Sequence, residues 1–395
     1  MPLRPADGIA VIEPLLLEPQ MTETPNPPQD TPSDRQSPGK RPPPLGGKLG
    51  RPPAFIVLML SAIVVAIAGW SAIWYFGTQK AEEMALAWLA AEAEAGRVYS
   101  CAERAVGGYP FRVSLVCDEP SLALSDAEPR VRATGVAFRA VAQVWNPTHV
   151  IFEIDGPVRI ETGAPERPGA AIDAKWQLLQ GSLRAPEGRI RRLDIAVTDL
   201  EAKPDPATLG PGGGMLVEAS SAGFHGRSRS GANPGGRDVD VAVDVSDLVV
   251  TAAGSQPPAA VDIRFVGRLD ALPASAPRDL PAFLSAWRDN DGGLAVDRMS
   301  ALQGETELRA SGTLTSDGEG YPAGSVTVAL AGPDVTTPGS AGAFGGLAPL
   351  MVLGLRLAGE SGEIDGRTAL TGDLDLRGGN AYFGAIPVTK LPRLY

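Results

Sequence analysis

From Pro52 to Gln79 the chain carries no charged residue, and Ala54–Phe76 is apolar apart from Gly69 and two serines. As a helix these residues span about 34 Å, enough to cross the ~30 Å hydrocarbon core of a bilayer. A weaker helical pattern continues over Thr78–Ala95. There Ala81, Met84, Ala85, Trp88 and Leu89 recur at helical spacing until Gly96 supplies a stop. This second piece reads as a stalk packed on the folded domain, the alternative being a helix lying on the lipid surface. The period then changes to two. Phe111, Val113, Leu115 and Cys117 alternate with Arg112, Ser114 and Val116, Val150, Phe152 and Ile154 recur at the same spacing, and Val239, Val241, Val243 and Val245 alternate with Asp238, Asp240 and Asp244. Alternation of this kind belongs to antiparallel strands with one wet face. Short helices are predicted near Asp279–Arg288 and Phe344–Leu353.

The fold class expected is therefore mainly β: one N-terminal transmembrane helix followed by a curved, mostly antiparallel sheet or sandwich with a few short helices. Four segments share the form apolar-x-Gly-x-Leu, centred on Gly181, Gly267, Gly312 and Gly372. Glycine inside a strand marks a bend, a bulge or a close approach, so repeated bends would curl the sheet into a trough. Chance in a glycine-rich chain is the competing explanation.

Composition divides the chain further. Residues 1–53 hold 14 of the 37 prolines, and such a segment reads as a disordered tail. Met21 opens a cleaner polar stretch and is a candidate initiator. The organisation expected is a Pro-rich tail over 1–53, the membrane helix over 54–77, the helical stalk over 78–96 and a β-rich domain over 97–395. Arg35, Lys40, Arg41, Lys48 and Arg51 precede the span, whereas Lys80 is followed at once by Glu82 and Glu83. That asymmetry puts the N-terminus in the cytoplasm and exports the main domain. A cleaved signal peptide is the competing reading, since Ala66-Ile67-Ala68 resembles a cleavage site; the apolar run continues past it and the preceding tail is long.

The formal net charge of −11 argues against nucleic acid as a partner. With two histidines and two cysteines, the sequence has almost no material for imidazole chemistry or a zinc shell. No nucleophile elbow, metalloprotease helix, P-loop or dinucleotide fingerprint is found. His149 and His225 read as structural or surface residues. Asp289-Asn290-Asp291-Gly292 resembles the start of a calcium loop but has no glutamate at loop position twelve. The expected sites are accordingly none for catalysis, cofactor or metal, although paired carboxylates for glycoside cleavage stay open. Cys101 and Cys117 flank a segment whose Gly107-Gly108 and Pro110 supply turn chemistry. A hairpin brings its ends together, so a Cys101–Cys117 disulfide is predicted in an oxidising compartment.

The membrane span ending Gly69-Trp70-Ser71, the Trp88 helix and the motif Gly108-Tyr109-Pro110-Phe111-Arg112 before Cys117 follow one another in order. With Asp317–Gly324 and Gly378–Val388, they resemble the DUF2125 family of uncharacterised bacterial envelope proteins over roughly residues 54–395. The layout is also similar to that of AsmA-like proteins, which handle lipids; that likeness is one of architecture. Two roles are expected to compete. One is a noncatalytic trough holding a lipid-like apolar ligand at the inner membrane; the other is an assembly factor contacting other envelope proteins.

Overall fold

The computed structural model describes residues 53–395 apart from 125–129, 165–166, 206–207, 209–213, 231–236, 274–279 and 333–353. The proline-rich tail and the helix expected at Phe344–Leu353 lie outside the described residues. Helix α1 (Ala54–Glu94) is one unbroken rod of 41 residues, about 62 Å long. The span and stalk expected as successive segments are thus a single helix, twice as long as a bilayer's hydrocarbon is thick. Its most apolar 18-residue window has mean hydropathy 2.5 and buries nothing against the chain. Gly96, at φ +76°, ends it in the left-handed conformation that only glycine adopts cheaply.

The strands form one open antiparallel sheet of 21 strands among the described residues, not a sandwich. Its first part consists of long strands, each interrupted once. β1 (Arg97–Ser100) and β2 (Glu103–Gly107) make the first, β3 (Arg112–Asp118) and β4 (Ser121–Leu124) the second. β5 (Val131–Thr134) and β6 (Ala137–Gln143) follow, then β7 (Asn146–Asp155) and β8 (Val158–Ala164), then β9 (Arg167–Lys175) and β10 (Leu178–Arg184). The longest strands come next: β11 (Arg192–Pro204), β12 (Met215–Ser230), β13 (Arg237–Ala252) and β14 (Val261–Leu272). Helix α2 (Leu280–Asp289) leads into β15 (Gly293–Gln303), β16 (Thr306–Ser316) and β17 (Pro322–Ala331). β18 (Glu360–Ile364), β19 (Arg367–Arg377), β20 (Asn380–Phe383) and β21 (Ile386–Lys390) complete the sheet.

The interruptions line up from strand to strand and crease the sheet. They fall at Glu119-Pro120, Gly135-Val136, Gly156-Pro157 and Trp176-Gln177, and the line runs on through Asp199, opposite Ser220, to a register shift between Val245 and Leu248. Glu119, Asp199 and Asp247 take φ of 47°, 50° and 53°, a region in which Asp is among the more tolerant side chains. The backbone groups freed at the crease find partners. Glu119 N donates to Val136 O at 2.9 Å, Gly135 N to Pro120 O at 2.9 Å and Gln177 N to Thr198 O at 3.0 Å. Ser220 Oγ donates to Asp247 Oδ2 at 2.7 Å, and Asp247 N to Asp262 Oδ1 at 2.9 Å. Satisfied in this way, the bend costs far less than unpaired buried amides would.

The recurrent glycines mark bulges and close approaches, two of the roles glycine takes inside a strand. Gly267 and Gly312 do sit beside register shifts of β15. Gly181 lies in a regular ladder, where it seats an aromatic ring: a Cβ there would come within 2.3 Å of Phe152 Cζ. A Cβ on Gly267 would likewise meet Phe265 Cζ at 2.8 Å. At the far end, Leu355 and Phe383 lie over Gly372. Both buried hydrophobic clusters of the described residues belong to this C-terminal part; the larger joins Val326, Val328, Leu330, Leu355 and Phe383.

Candidate functional site

In an antiparallel ladder, residues directly opposite one another project to the same face. Reading the register from strand to strand therefore shows which side chains share a surface. One line runs Leu115, Ala140, Phe152, Gly181, Ile195 and Phe224 from β3 to β12. It continues through Val243, Phe265, Met299, Ala310, Val328 and Gly372 to β19. Two residues along each strand, a second line runs from Val113 through Val150, Leu183, Leu193, Val241 and Val296 to Leu374 and Phe383. On the other side, a third contains Leu179, Val197, Ala222, Val245, Ile263, Ala301, Leu308 and Leu330. No polar side chain interrupts these rows. The result is a continuous apolar surface crossing the sheet from the α1 end to the C-terminal strands.

The opposite face is charged. Asp240 receives Arg229 at 2.7 Å and Arg227 at 3.1 Å, and Arg139 donates to Asp155 at 2.9 Å. Asp194 accepts from Arg192 at 2.6 Å and lies 2.8 Å from His225 Nδ1. The Arg192 hydrogen bond, with a smaller contribution from His225, holds the Asp194 carboxyl below its usual range. Exposed pairs of this kind stabilise the fold little, but they make the two faces chemically opposite.

Coverage of the apolar face is uneven. Val328 and Leu330 are 2% and 4% exposed beneath Leu355 and Phe383. Phe152, Ile195, Phe224, Val243 and Phe265 are only partly buried, and Met299 keeps 37% of its surface. Among the described residues, the surface is thus sealed at its C-terminal end and open along the middle strands. At the crease, a cleft lined by Val136, Gly156, Trp176 and Leu179 holds about 250 Å³, less than the roughly 300–1,000 Å³ of an enclosing small-molecule pocket.

The expected motif residues are found together at the start of the sheet. Cys101 and Cys117 are bonded, with their Cα atoms 5.4 Å apart, and Cys117 is 4% exposed. Gly108, Tyr109, Pro110, Phe111 and Arg112 form the β2–β3 turn. Gly108 has φ +102°, and a Cβ there would press within 2.6 Å of Arg112 O. No periodicity in the chain signals that this turn docks on α1. Trp70 Nε1 donates to Pro110 O at 2.8 Å, Trp74 Nε1 donates to Arg112 O at 3.0 Å, and the Ser71 and Tyr109 hydroxyls are 2.7 Å apart. The helix then runs along β2 and β1: Glu82 meets Arg104 at 3.3 Å, and the Trp88 and Tyr99 rings stand 5.2 Å apart. Asp289-Asn290-Asp291-Gly292 is the C-terminal cap of α2, with Gly292 N donating to Trp287 O at 2.8 Å and Asn290 Nδ2 to Ala271 O at 2.7 Å. Asp238 accepts from Ala271 N at 3.0 Å.

At the last turn of α1, Glu92 accepts a bidentate bond from Arg97 of β1, one arm at 2.8 Å. That hydrogen bond lowers the Glu92 carboxyl below its ordinary value, against a smaller opposing effect of burial. A depressed carboxyl contributes stability that is complete above the unfolded value of ~4.3 and is lost as pH falls through the folded one. Acidification below about pH 4 should therefore loosen α1 from β1. Glu92→Gln should flatten this limb of the stability–pH profile measured by thermal unfolding.

The family described as uncharacterised proteins conserved in bacteria (DUF2125) matches residues 74–392, and the chain belongs to it. No curated protein and no solved structure matches.

Proposed function

We propose that this is a single-pass protein of the bacterial inner membrane whose periplasmic sheet holds a lipid-like apolar ligand without catalysing a reaction. The observation that carries the reading is the run of apolar rows from β3 to β19, which among the described residues is open in the middle and covered only near Val328 and Phe383. Water-exposed apolar surface of this extent is costly, at ~25 cal/mol per Å², and marks a surface made for contact. Helix α1 supplies the anchor by length and hydropathy. The basic residues before it favour a cytoplasmic N-terminus, and the Cys101–Cys117 bond fits an oxidising compartment. The layout resembles that of AsmA-like lipid-handling proteins, an analogy of architecture.

The test is mass spectrometry of the full chain after gentle detergent extraction. Phospholipid or another acyl-chain compound in stoichiometric amount supports the carrier. A chain free of lipid, recovered with other envelope proteins on the apolar face, supports the assembly role instead.

A further inference from the structure

We propose that the edge of the sheet beside Trp70 and Trp74 rests on the anionic headgroups of the membrane that α1 crosses; this rests on the reading of α1 as a membrane span. The β2–β3 turn is hydrogen-bonded to α1 at Trp70, Ser71 and Trp74, within the last turns of the apolar stretch that ends at Phe76. A turn held at that level sits where hydrocarbon gives way to headgroups, the depth favoured by aromatic side chains.

The next hairpin ends on the same edge continue the pattern. The β6–β7 turn packs against the first: Val144 N donates to Phe111 O at 3.2 Å, and the Trp145 and Phe111 rings are 6.3 Å apart. Tyr109, Phe111 and Trp145 are nonetheless 52%, 60% and 62% exposed. β10 pairs with β7 so that Arg184 lies opposite His149, which brings the β10–β11 connection to the same edge. That connection carries Arg184, Arg189, Arg191 and Arg192 around Ile190, itself 50% exposed.

Charge supplies the second, independent argument. The chain is acidic, with a net charge of −11, and many arginines elsewhere on the sheet are engaged by carboxylates. Arg139 meets Asp155, Arg159 meets Asp173 and Asp205, and Arg309 meets Asp365. Among the described residues, Arg112, Arg184, Arg189 and Arg191 take part in no ion pair; Arg132, Arg264 and Arg298 are likewise unpaired, so what distinguishes this edge is the gathering of four such groups beside exposed rings. Unpaired guanidinium groups interleaved with exposed aromatic and aliphatic tips match an anionic lipid interface, where phosphates take the charge and the upper acyl region takes the rings. So placed, the edge brings Val113 and Leu115, the first members of the apolar rows, close to the lipid.

The experiment uses the full chain in nanodiscs of phosphatidylcholine alone or mixed with phosphatidylglycerol, read by amide hydrogen exchange. Residues 108–112, 143–146 and 184–192 should be protected in the anionic discs and less so in the zwitterionic ones. Each guanidinium near such a surface strengthens contact about fivefold. The Arg184→Gln, Arg189→Gln, Arg191→Gln triple variant should therefore weaken it on the order of a hundredfold, and the matching lysine variant should restore protection. Unchanged exchange in β12 and β13 shows that the variants fold. If the chain enters the discs but the three turns exchange as in detergent, the headgroup contact is refuted and the anchor stands. If the chain does not enter the discs, the anchor itself fails. Protection in native membranes but not in either disc also overturns the proposal and assigns the edge to a protein partner.

Discussion

Aspartate in place of Val243 is expected to leave the sheet folded and remove its hold on apolar ligand, whereas aspartate in place of Val328 is expected to unfold the C-terminal strands. The two valines occupy the same ladder row. They differ in what lies above them. Val328 is 2% exposed in the cluster with Leu355 and Phe383, so its replacement leaves an uncompensated buried carboxylate, at a cost of about 3–5 kcal/mol. Val243, between Phe224 and Phe265, is only partly buried; water reaches a carboxylate there, and the cost should be about 1 kcal/mol. Denaturant midpoints and ligand content measured on the same preparations separate the two effects. Equal destabilisation at both positions would show that the middle of the face is as covered as its end.

Removal of the disulfide carries the second large effect. The Cys101→Ser, Cys117→Ser double variant should lose ~3 kcal/mol, the amount associated with a loop of this size. The bond closes a separation of 16 residues and ties the gap between β1 and β2 to β3, just where Ala102 N donates to Asp118 O at 2.9 Å. These are also the strands on which α1 lies, through Arg104 and Tyr99. The lost stability should accordingly appear first as faster hydrogen exchange in residues 97–118. Uniform loosening of the whole sheet would contradict that placement.

How much could be read beforehand follows from which interactions are local. The apolar helix, the hairpin between the cysteines and the alternation along β3, β7 and β13 are patterns within one segment, and each was visible. The crease was not. Asp199 and Asp247 follow Leu193-x-Ile195-x-Val197 and Val241-x-Val243-x-Val245 in the apolar phase and break the alternation, but only the neighbouring strand shows that they kink it. The glycine motif is visible as a mark of bulges or close approaches, but it does not show that Gly181 accommodates the ring of Phe152, which comes from another strand. The apolar rows depend on register across the whole sheet, and a slip of one residue in any pair would turn half of them to the charged face. The docking of Tyr109 on Trp74, with rings 5.3 Å apart, joins parts of the chain that no periodicity connects.

The open apolar face is tested most directly by a photoreactive phenylalanine analogue placed at Phe224, with a control at Ala196. These positions lie on adjacent strands and opposite faces, since Ile195 is the partner of Phe224 and Ala196 that of Gly223. Irradiation of the full chain in its native membrane should give lipid adducts at position 224 and none at 196. Adducts at both positions, or at 196 alone, would mean that the apolar rows are not the face that meets lipid.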